Sequence, residues 1–208
     1  MSPARTEILA RLKAASPSSA RPPTPALIPK RGQAKGPTRT AMFVEEAVYG
    51  LAEVVRLKQW SDVVSHVAQV MADTGTDKLK AAPHPKLQNL DWSGVKIAYG
   101  RGQDDDLVGL SVAYGAVAET GTLVMRSGAD APATLNFLPD VHVVVLQVSD
   151  IDANYEAVWG RLLKDSDQLP RTVNWITGPS RTADIEQTML LGAHGPRKLV
   201  IVLIDEKA

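Results

Sequence analysis

Two strongly apolar runs limit the folds that are open to this chain. Residues 142–148 read HVVVLQV and residues 198–204 read KLVIVLI. Runs this rich in valine and isoleucine, with little polar alternation, are typical of strands that are buried on both faces of a parallel sheet. Helix-like and strand-like segments alternate over the rest of the chain. The sequence therefore predicts an α/β fold, with an open, mostly parallel sheet and helices on both of its faces.

The remaining elements are placed by apolar periodicity and by turn residues. Helices are predicted at 43–51, 60–71, 152–164 and 182–191, and further strands at 53–57, 78–82, 95–99 and 173–177.

The 208 residues suit one domain preceded by a tail. Residues 1–15 include a short helical pattern and are predicted to form an N-terminal helix. Residues 16–40 are predicted to be a proline-rich linker, because six of the fourteen prolines fall between 17 and 37. Residues 41–208 are predicted to form the α/β domain, and chemistry is not expected in the linker.

Composition excludes several classes of site. Lysine and arginine sum to 23, as do aspartate and glutamate, so no basic surplus indicates a nucleic-acid partner. The absence of cysteine excludes disulfides, thiolate zinc sites, a cysteine nucleophile and iron–sulfur clusters held by this chain. The aliphatic run 199–204 is far shorter than the roughly twenty residues of a membrane span, and no signal-peptide pattern is present. We therefore expect a cytoplasmic protein without a membrane span.

The segment 178–186, GPSRTADIE, joins a predicted strand to a predicted helix. Exposed amides at a helix start can bind an anion, and an arginine beside them can hold a carboxylate or phosphate. Alternatively, the hydroxyls and carboxylates of the segment cap those amides and leave a purely structural turn. The predicted ligand-binding residues are Gly178, Ser180, Arg181, Thr182, Asp184 and Glu186.

His194 lies between small residues at the end of the same predicted helix, where Gly192 is expected as a left-handed cap. Its imidazole could serve as a general base or as a hydrogen-bond donor to a substrate. The alternative is a structural or merely exposed histidine. His142, within a predicted strand, is interpreted as a core or edge histidine whose hydrogen bonds are satisfied.

Residues 118–122 read AETGT, and Gly121 permits a turn with positive φ. Glu119 on such a turn could act as a nucleophile or base. Alternatively, it pairs with Arg126 or Arg181 and holds the loop. The predicted ligand contacts on this turn are Thr120, Gly121 and Thr122.

No metal site is predicted. The acidic run 104–106 is interpreted as a solvated loop, and the spacing of the four histidines matches no zinc-protease motif. Walker-type phosphate loops, dinucleotide fingerprints and the esterase elbow are also missing from the sequence.

Four segments together resemble the LUD domain of the lactate-utilisation protein C family. They are AETGT at 118–122, LP at 138–139 with VHV at 141–143, GPSRTADIE at 178–186 and HGP at 194–196. The resemblance covers about residues 43–204. It implies a fold related to 5-formyltetrahydrofolate cyclo-ligase and to the sugar-isomerase and CoA-transferase group.

The resemblance also implies a role in the oxidation of L-lactate to pyruvate beside iron–sulfur partner subunits. Since this chain has no cysteine, the clusters are expected on the partners and no cofactor is expected on this chain. Its own contribution would then be positioning, assembly, or binding of a small carboxylate or phosphate-bearing ligand.

Three hypotheses remain open. The favoured one is a subunit or accessory protein of a lactate-oxidising system without a complete redox site of its own. The second is an independent acyl-transfer enzyme similar to CoA-transferases, in which Glu119 attacks a thioester. The third is a non-catalytic module that binds a small ligand. Glu119, Arg181 and His194 are predicted to share one cleft at the carboxyl ends of the strands.

Overall fold

The computed structural model describes residues 3–15, 27–165, 169–182, 190–192 and 194–205. The strands are β1 Glu53–Leu57, β2 Lys78–Ala81, β3 Lys96–Tyr99, β4 Val108–Val112, β5 Gly115–Val117, β6 Thr122–Arg126, β7 Val141–Gln147, β8 Ile151–Asp152, β9 Val173–Ile176, β10 Arg181–Thr182, β11 Leu190–Leu191 and β12 Lys198–Ile204. The helices are α1 Pro3–Ala15, α2 Gly36–Tyr49, α3 Asp62–Thr74, α4 Pro85–Gln88 and α5 Tyr155–Asp165, with short 3-10 turns at Lys30–Gln33, Ala118–Thr120, Ala133–Asn136 and Val148–Asp150.

Six strands form a parallel sheet in the order β1-β12-β7-β4-β2-β3. The two apolar runs of the sequence, β7 and β12, lie side by side near its middle. Almost every residue of both strands is buried, because layers cover the sheet on both faces.

Helices lie on both faces of this sheet. On one face, α3 presents Val63, Val67 and Val70 to alternate residues of β7 and β12. On the other face, Phe43 and Ala47 of α2 pack against the intervening strand residues. The predicted α/β fold with a mostly parallel sheet is therefore confirmed. Among the described helices, none is long and apolar enough to cross a membrane.

A second sheet covers much of the face on which α2 lies. Its strands follow the order β8-β5-β6-β9, and its β5–β6 and β6–β9 pairs are antiparallel. Leu123 and Met125 of β6 and Ile151 of β8 belong to the same apolar cluster as Phe43. The sequence does not predict this separate sheet, although it predicts a strand at 173–177, where β9 lies.

The segment before α2 lies on the domain surface. The Asn154 side-chain amide donates to the Gly32 carbonyl at 2.6 Å, and Gly32 is buried. α2 begins at Gly36, inside the range 16–40 that the sequence predicts as linker. Residues 16–26 lie outside the described part of the chain.

The predicted helix at 182–191 is wrong at both ends. Arg181 and Thr182 of β10 pair antiparallel with Leu190 and Leu191 of β11. Gly192 has the expected positive φ of 81°, but it follows a strand and caps no described helix. Residues 183–189, with the predicted ligand residues Asp184 and Glu186, lie outside the described residues.

Candidate functional site

A cavity of about 290 Å³ lies between the parallel sheet and the end of β9. We call it the signature cavity, because the GPSR and HGP segments form much of its wall. Its lining is Asn136, Phe137, His142, Trp175, Ile176, Gly178, Pro179, Ser180, Arg181, His194, Gly195, Pro196 and Leu199.

Backbone hydrogen bonds hold the two signature segments together. The Ser180 amide donates to the Pro196 carbonyl at 2.9 Å, and the Gly192 amide donates to the Ser180 carbonyl at 3.0 Å. The Ser180 amide is therefore already bonded, and Arg181 lies in a strand. Ligand binding by Ser180, Arg181 and Thr182 stays a prediction and would depend on side chains.

Gly178 shows why this turn needs glycine. Its φ is +72°, and a Cβ atom there would overlap the Gly50 carbonyl oxygen. Because Gly178 has no side chain, the segment after β9 can lie against the end of α2.

Two of the cavity residues carry exposed polar side chains, Arg181 and His194. A third, His142, is fully buried. Its Nε2 is 3.0 Å from Ser111 Oγ, while its Nδ1 has no hydrogen-bond partner among the described residues. Burial lowers the pKa of His142 from 6.5 to about 3, so the ring is neutral near pH 7. The prediction that its hydrogen bonds are all satisfied is wrong at Nδ1.

The Glu119 cavity is a separate, more open space of about 470 Å³. Its lining is Arg31, Glu46, Tyr49, Gly50, Glu119, Thr120, Thr177 and Arg181. Arg181 borders both cavities, whereas Glu119 and His194 line different ones. The three predicted residues therefore do not share a single cleft.

The position of the signature cavity also differs from the prediction. His142 and Leu199 are the second residues of β7 and β12, so the cavity lies at the amino ends of these parallel strands. The predicted placement at the carboxyl ends is wrong.

Glu119 is covered by the 3-10 turn before α2. The Arg31 guanidinium donates to the Glu119 carbonyl at 3.0 Å and forms an ion pair with Glu46. A Cβ atom on Gly32 would come within 2.8 Å of the Glu119 carboxylate. Among the described residues, Glu119 forms an ion pair with neither Arg126 nor Arg181, and Arg126 lies 3.7 Å from Asp130 instead.

The AETGT turn is held by internal contacts. Thr122 is buried, and its hydroxyl lies 2.7 Å from those of Thr120 and Thr177 and 3.0 Å from that of Tyr155. Gly121 has a φ of +63°, and its α-carbon packs on the α2 backbone. These contacts give Thr122 and Gly121 a packing role, while ligand binding by this turn stays a prediction.

The acidic loop before β4 shows internal bonding. Asp106 accepts a hydrogen bond from the Gln103 amide at 2.7 Å. Over the described ranges, no three histidine, aspartate or glutamate side chains group as ligands for a metal ion.

Sequence reasoning missed two contributors to these cavities. Arg31 lies in a proline-rich stretch, which gives no periodic signal. His142 lies in an apolar strand. Its presence as the single ionisable residue in a run expected to be buried could have indicated a contribution to a cavity.

Comparison with known proteins gives one family. The family model described as the LUD domain matches residues 40–204. An uncharacterized protein of Neisseria meningitidis serogroup B is 42% identical over 97 residues, which are 46% of this chain and 41% of that protein. Lactate utilization protein C of Anoxybacillus flavithermus is 31% identical over 136 residues, which are 65% of this chain and 51% of that protein. The matches thus span about half or less of these relatives' own length.

A solved structure supports the fold alone. The crystal structure of a DUF162 family protein from Deinococcus radiodurans superposes with a TM-score of 0.59 at 17% identity. The superposition covers 80% of this chain and 96% of that chain.

Proposed function

The chain belongs to the LUD domain family, and on that premise we propose that it takes part in L-lactate utilisation by binding a small carboxylate in the signature cavity. Several relatives carry the name lactate utilization protein C, which supports this role. In the proposed system, iron–sulfur partner subunits carry out the electron transfer. The lack of cysteine in this chain fits a subunit that holds substrate without holding a cluster.

One observation carries the proposal. The GPSR and HGP segments, which are separated by twelve residues in sequence, close one cavity together with the buried His142. A cation, an exposed imidazole and a neutral buried imidazole thus border a space of about 290 Å³.

The chemistry of the lining suits an α-hydroxy acid. The Arg181 guanidinium offers paired donors that match a carboxylate. His194 adds a second polar group at the rim. The neutral His142 keeps Nδ1 as one donor or one acceptor, depending on the tautomer, and a ligand hydroxyl can serve in either role. In this arrangement the chain binds and orients lactate, and the redox step belongs to the partners.

The test is a backbone-amide NMR titration of the full chain with L-lactate. We expect shifts at the amides of Gly178, Ser180, Arg181, His194 and Gly195 in the wild-type protein. Arg181→Gln should weaken binding at least about tenfold, since hydrogen bonds to a charged group contribute roughly 1.5–3 kcal/mol. Arg56→Gln, an exposed arginine of β1, is the matched control and should bind as wild type does. Equal affinity in both variants, or no shifts with wild-type protein, would overturn the proposal.

A further inference from the structure

A third cavity lies at the carboxyl ends of the parallel strands. We call it the carboxyl-edge cleft, and its volume is about 240 Å³. Its polar lining includes His84, Lys86, Tyr114, Arg126, Asp150 and Arg161.

The topology opens the sheet at this point. β2 and β4 are hydrogen-bonded neighbours. After β2 the chain continues to α4, and Leu87 of α4 packs on the face of the sheet that α3 covers. After β4 it continues to β5, and Ala116 of β5 packs on the opposite face. Because the two connections diverge to opposite faces, a crevice forms between them. Ligands of open α/β sheets bind at such switch points.

One of the cations in the cleft has a structural task. Arg161 donates to the Asp152 carboxylate at 2.9 and 3.1 Å and to the Asp150 and Tyr114 carbonyls at 3.0 and 3.3 Å. Its guanidinium also lies 4.7 Å from the centre of the Tyr114 ring. Arg161 therefore holds the wall of the cleft in place.

Two other cations keep donors for a ligand. The Arg126 guanidinium stands 3.7 Å from Asp130, which is a loose ion pair, and 39% of its side chain is exposed. The Lys86 ammonium donates to the neutral Gln147 amide oxygen and lies 4.9 Å above the Trp60 ring. Neither contact uses all the donors that an arginine or a lysine carries.

His84 adds a directed donor. Its Nδ1 accepts a hydrogen bond from the Lys86 amide at 3.2 Å, so the neutral ring carries its proton on Nε2. Burial is the main cause that lowers the pKa of His84, and Lys86 and Arg126 lower it further, against an opposing effect of Asp130. These effects keep the ring neutral near pH 7.

Acceptors lie beside these donors. Asp130 and Asp150 also line the cleft. Burial is the main cause that raises the pKa of Asp150, while Arg161 and Lys86 act in the opposite direction. A ligand that bonds to both the donors and the carboxylates of the cleft needs an oxyanion and a hydrogen-bond donor.

We propose that the carboxyl-edge cleft is a second binding site, which takes a compact hydroxylated carboxylate or phosphate ester. Arg126 and Lys86 bind the oxyanion, His84 donates to it, and Asp150 accepts from the ligand hydroxyl. The site is separate from the signature cavity and does not depend on the proposed lactate role.

The test is a backbone-amide NMR titration of the full chain with glycolate and, separately, with glycerol phosphate. We expect shifts at the amides of His84 and Lys86, of residues 112–114 and of Arg126 with at least one of the two compounds, and the compound that binds identifies the oxyanion. Arg126→Gln and Lys86→Gln should each weaken this binding at least about tenfold. Arg181→Gln, in the other cavity, should leave it unchanged.

The outcomes separate the two sites. Shifts at the cleft that survive Arg181→Gln but are lost in both cleft variants support the second site, whatever happens with lactate. Should either cleft variant fail to fold, the other still tests the site, because Arg126 and Lys86 lie on different elements. Shifts confined to 178–181 and 194–196, or no shifts with either compound at millimolar concentration, overturn it.

Discussion

The buried His142 determines how the stability of this fold should depend on pH. Burial lowers the pKa of its folded-state imidazole from 6.5 to about 3. In the unfolded chain the same ring takes up a proton as the pH falls through about 6.5. The contribution of the neutral ring to stability is therefore complete above about pH 6.5 and is lost progressively as the pH falls toward about 3.

The size of the effect follows from the difference between the two pKa values. Each pH unit within this window lowers the free energy of unfolding by about 1.4 kcal/mol for one such group. Between about pH 7.5 and pH 5 the loss is about 2 kcal/mol, which is a large share of the stability of a typical domain.

Urea unfolding at about pH 7.5 and pH 5 measures this loss. His142→Gln, which keeps a polar side chain for Ser111, should reduce the pH-dependent difference by about 2 kcal/mol. His194→Gln, at an exposed histidine, should keep the wild-type difference. If His142→Gln does not fold, the ring protons of wild-type His142 can be titrated directly by NMR. An unchanged difference in His142→Gln, or a measured pKa near 6.5, would refute the reasoning.

Two further predictions concern packing at the AETGT turn and at the start of α5. Gly121→Ala should destabilise the protein by about 2–4 kcal/mol, because the added Cβ atom would overlap the α2 backbone at a residue with φ of +63°. Its control is Gly75→Ala, where φ is +76° but the space around the residue is open. That change should lower the free energy of unfolding by only about 1 kcal/mol in the same assay. Asn154→Ala should cost about 2 kcal/mol, because the side chain caps α5 at the Ala157 amide and holds Gly32. Its control is Ser61→Ala, at the start of α3, where no side-chain cap is formed, and this change should leave the free energy of unfolding nearly unchanged. Equal losses of stability in a variant and its control would contradict these assignments.

Much of the fold could be predicted, because its central strands are specified locally. The runs at 142–148 and 198–204 become β7 and β12, and the apolar stripe of Val63, Val67 and Val70 becomes the buried face of α3. In both cases the residues that define the pattern are the ones that are buried.

The errors arise where pairing between two segments, near or distant in sequence, decides the structure. Thr182 and Leu190 belong to a helix-like pattern, but they pair with each other as strands. Arg31 approaches Glu119 across 88 positions, and Asn154 holds Gly32 across 122. Neither composition nor periodicity records such contacts.

The sequence predicts which segments border the candidate site, but not at which end of the sheet the site lies. The GPSR and HGP segments do border one cavity, yet it lies at the amino ends of β7 and β12. The residues of the carboxyl-edge cleft come from separate loops, and only the rule that ligands bind where strand connections diverge could have indicated them.

The proposed part of this chain in lactate utilisation can be tested by purifying the tagged chain from its native cell. The measurement is L-lactate-dependent dye reduction by the purified material, together with its iron and sulfide content. We expect iron–sulfur partners to co-purify and lactate to reduce the dye. Arg181→Gln should raise the lactate concentration that is needed, while the partners still co-purify. A protein that purifies without iron and shows no lactate-dependent reduction would contradict the proposal.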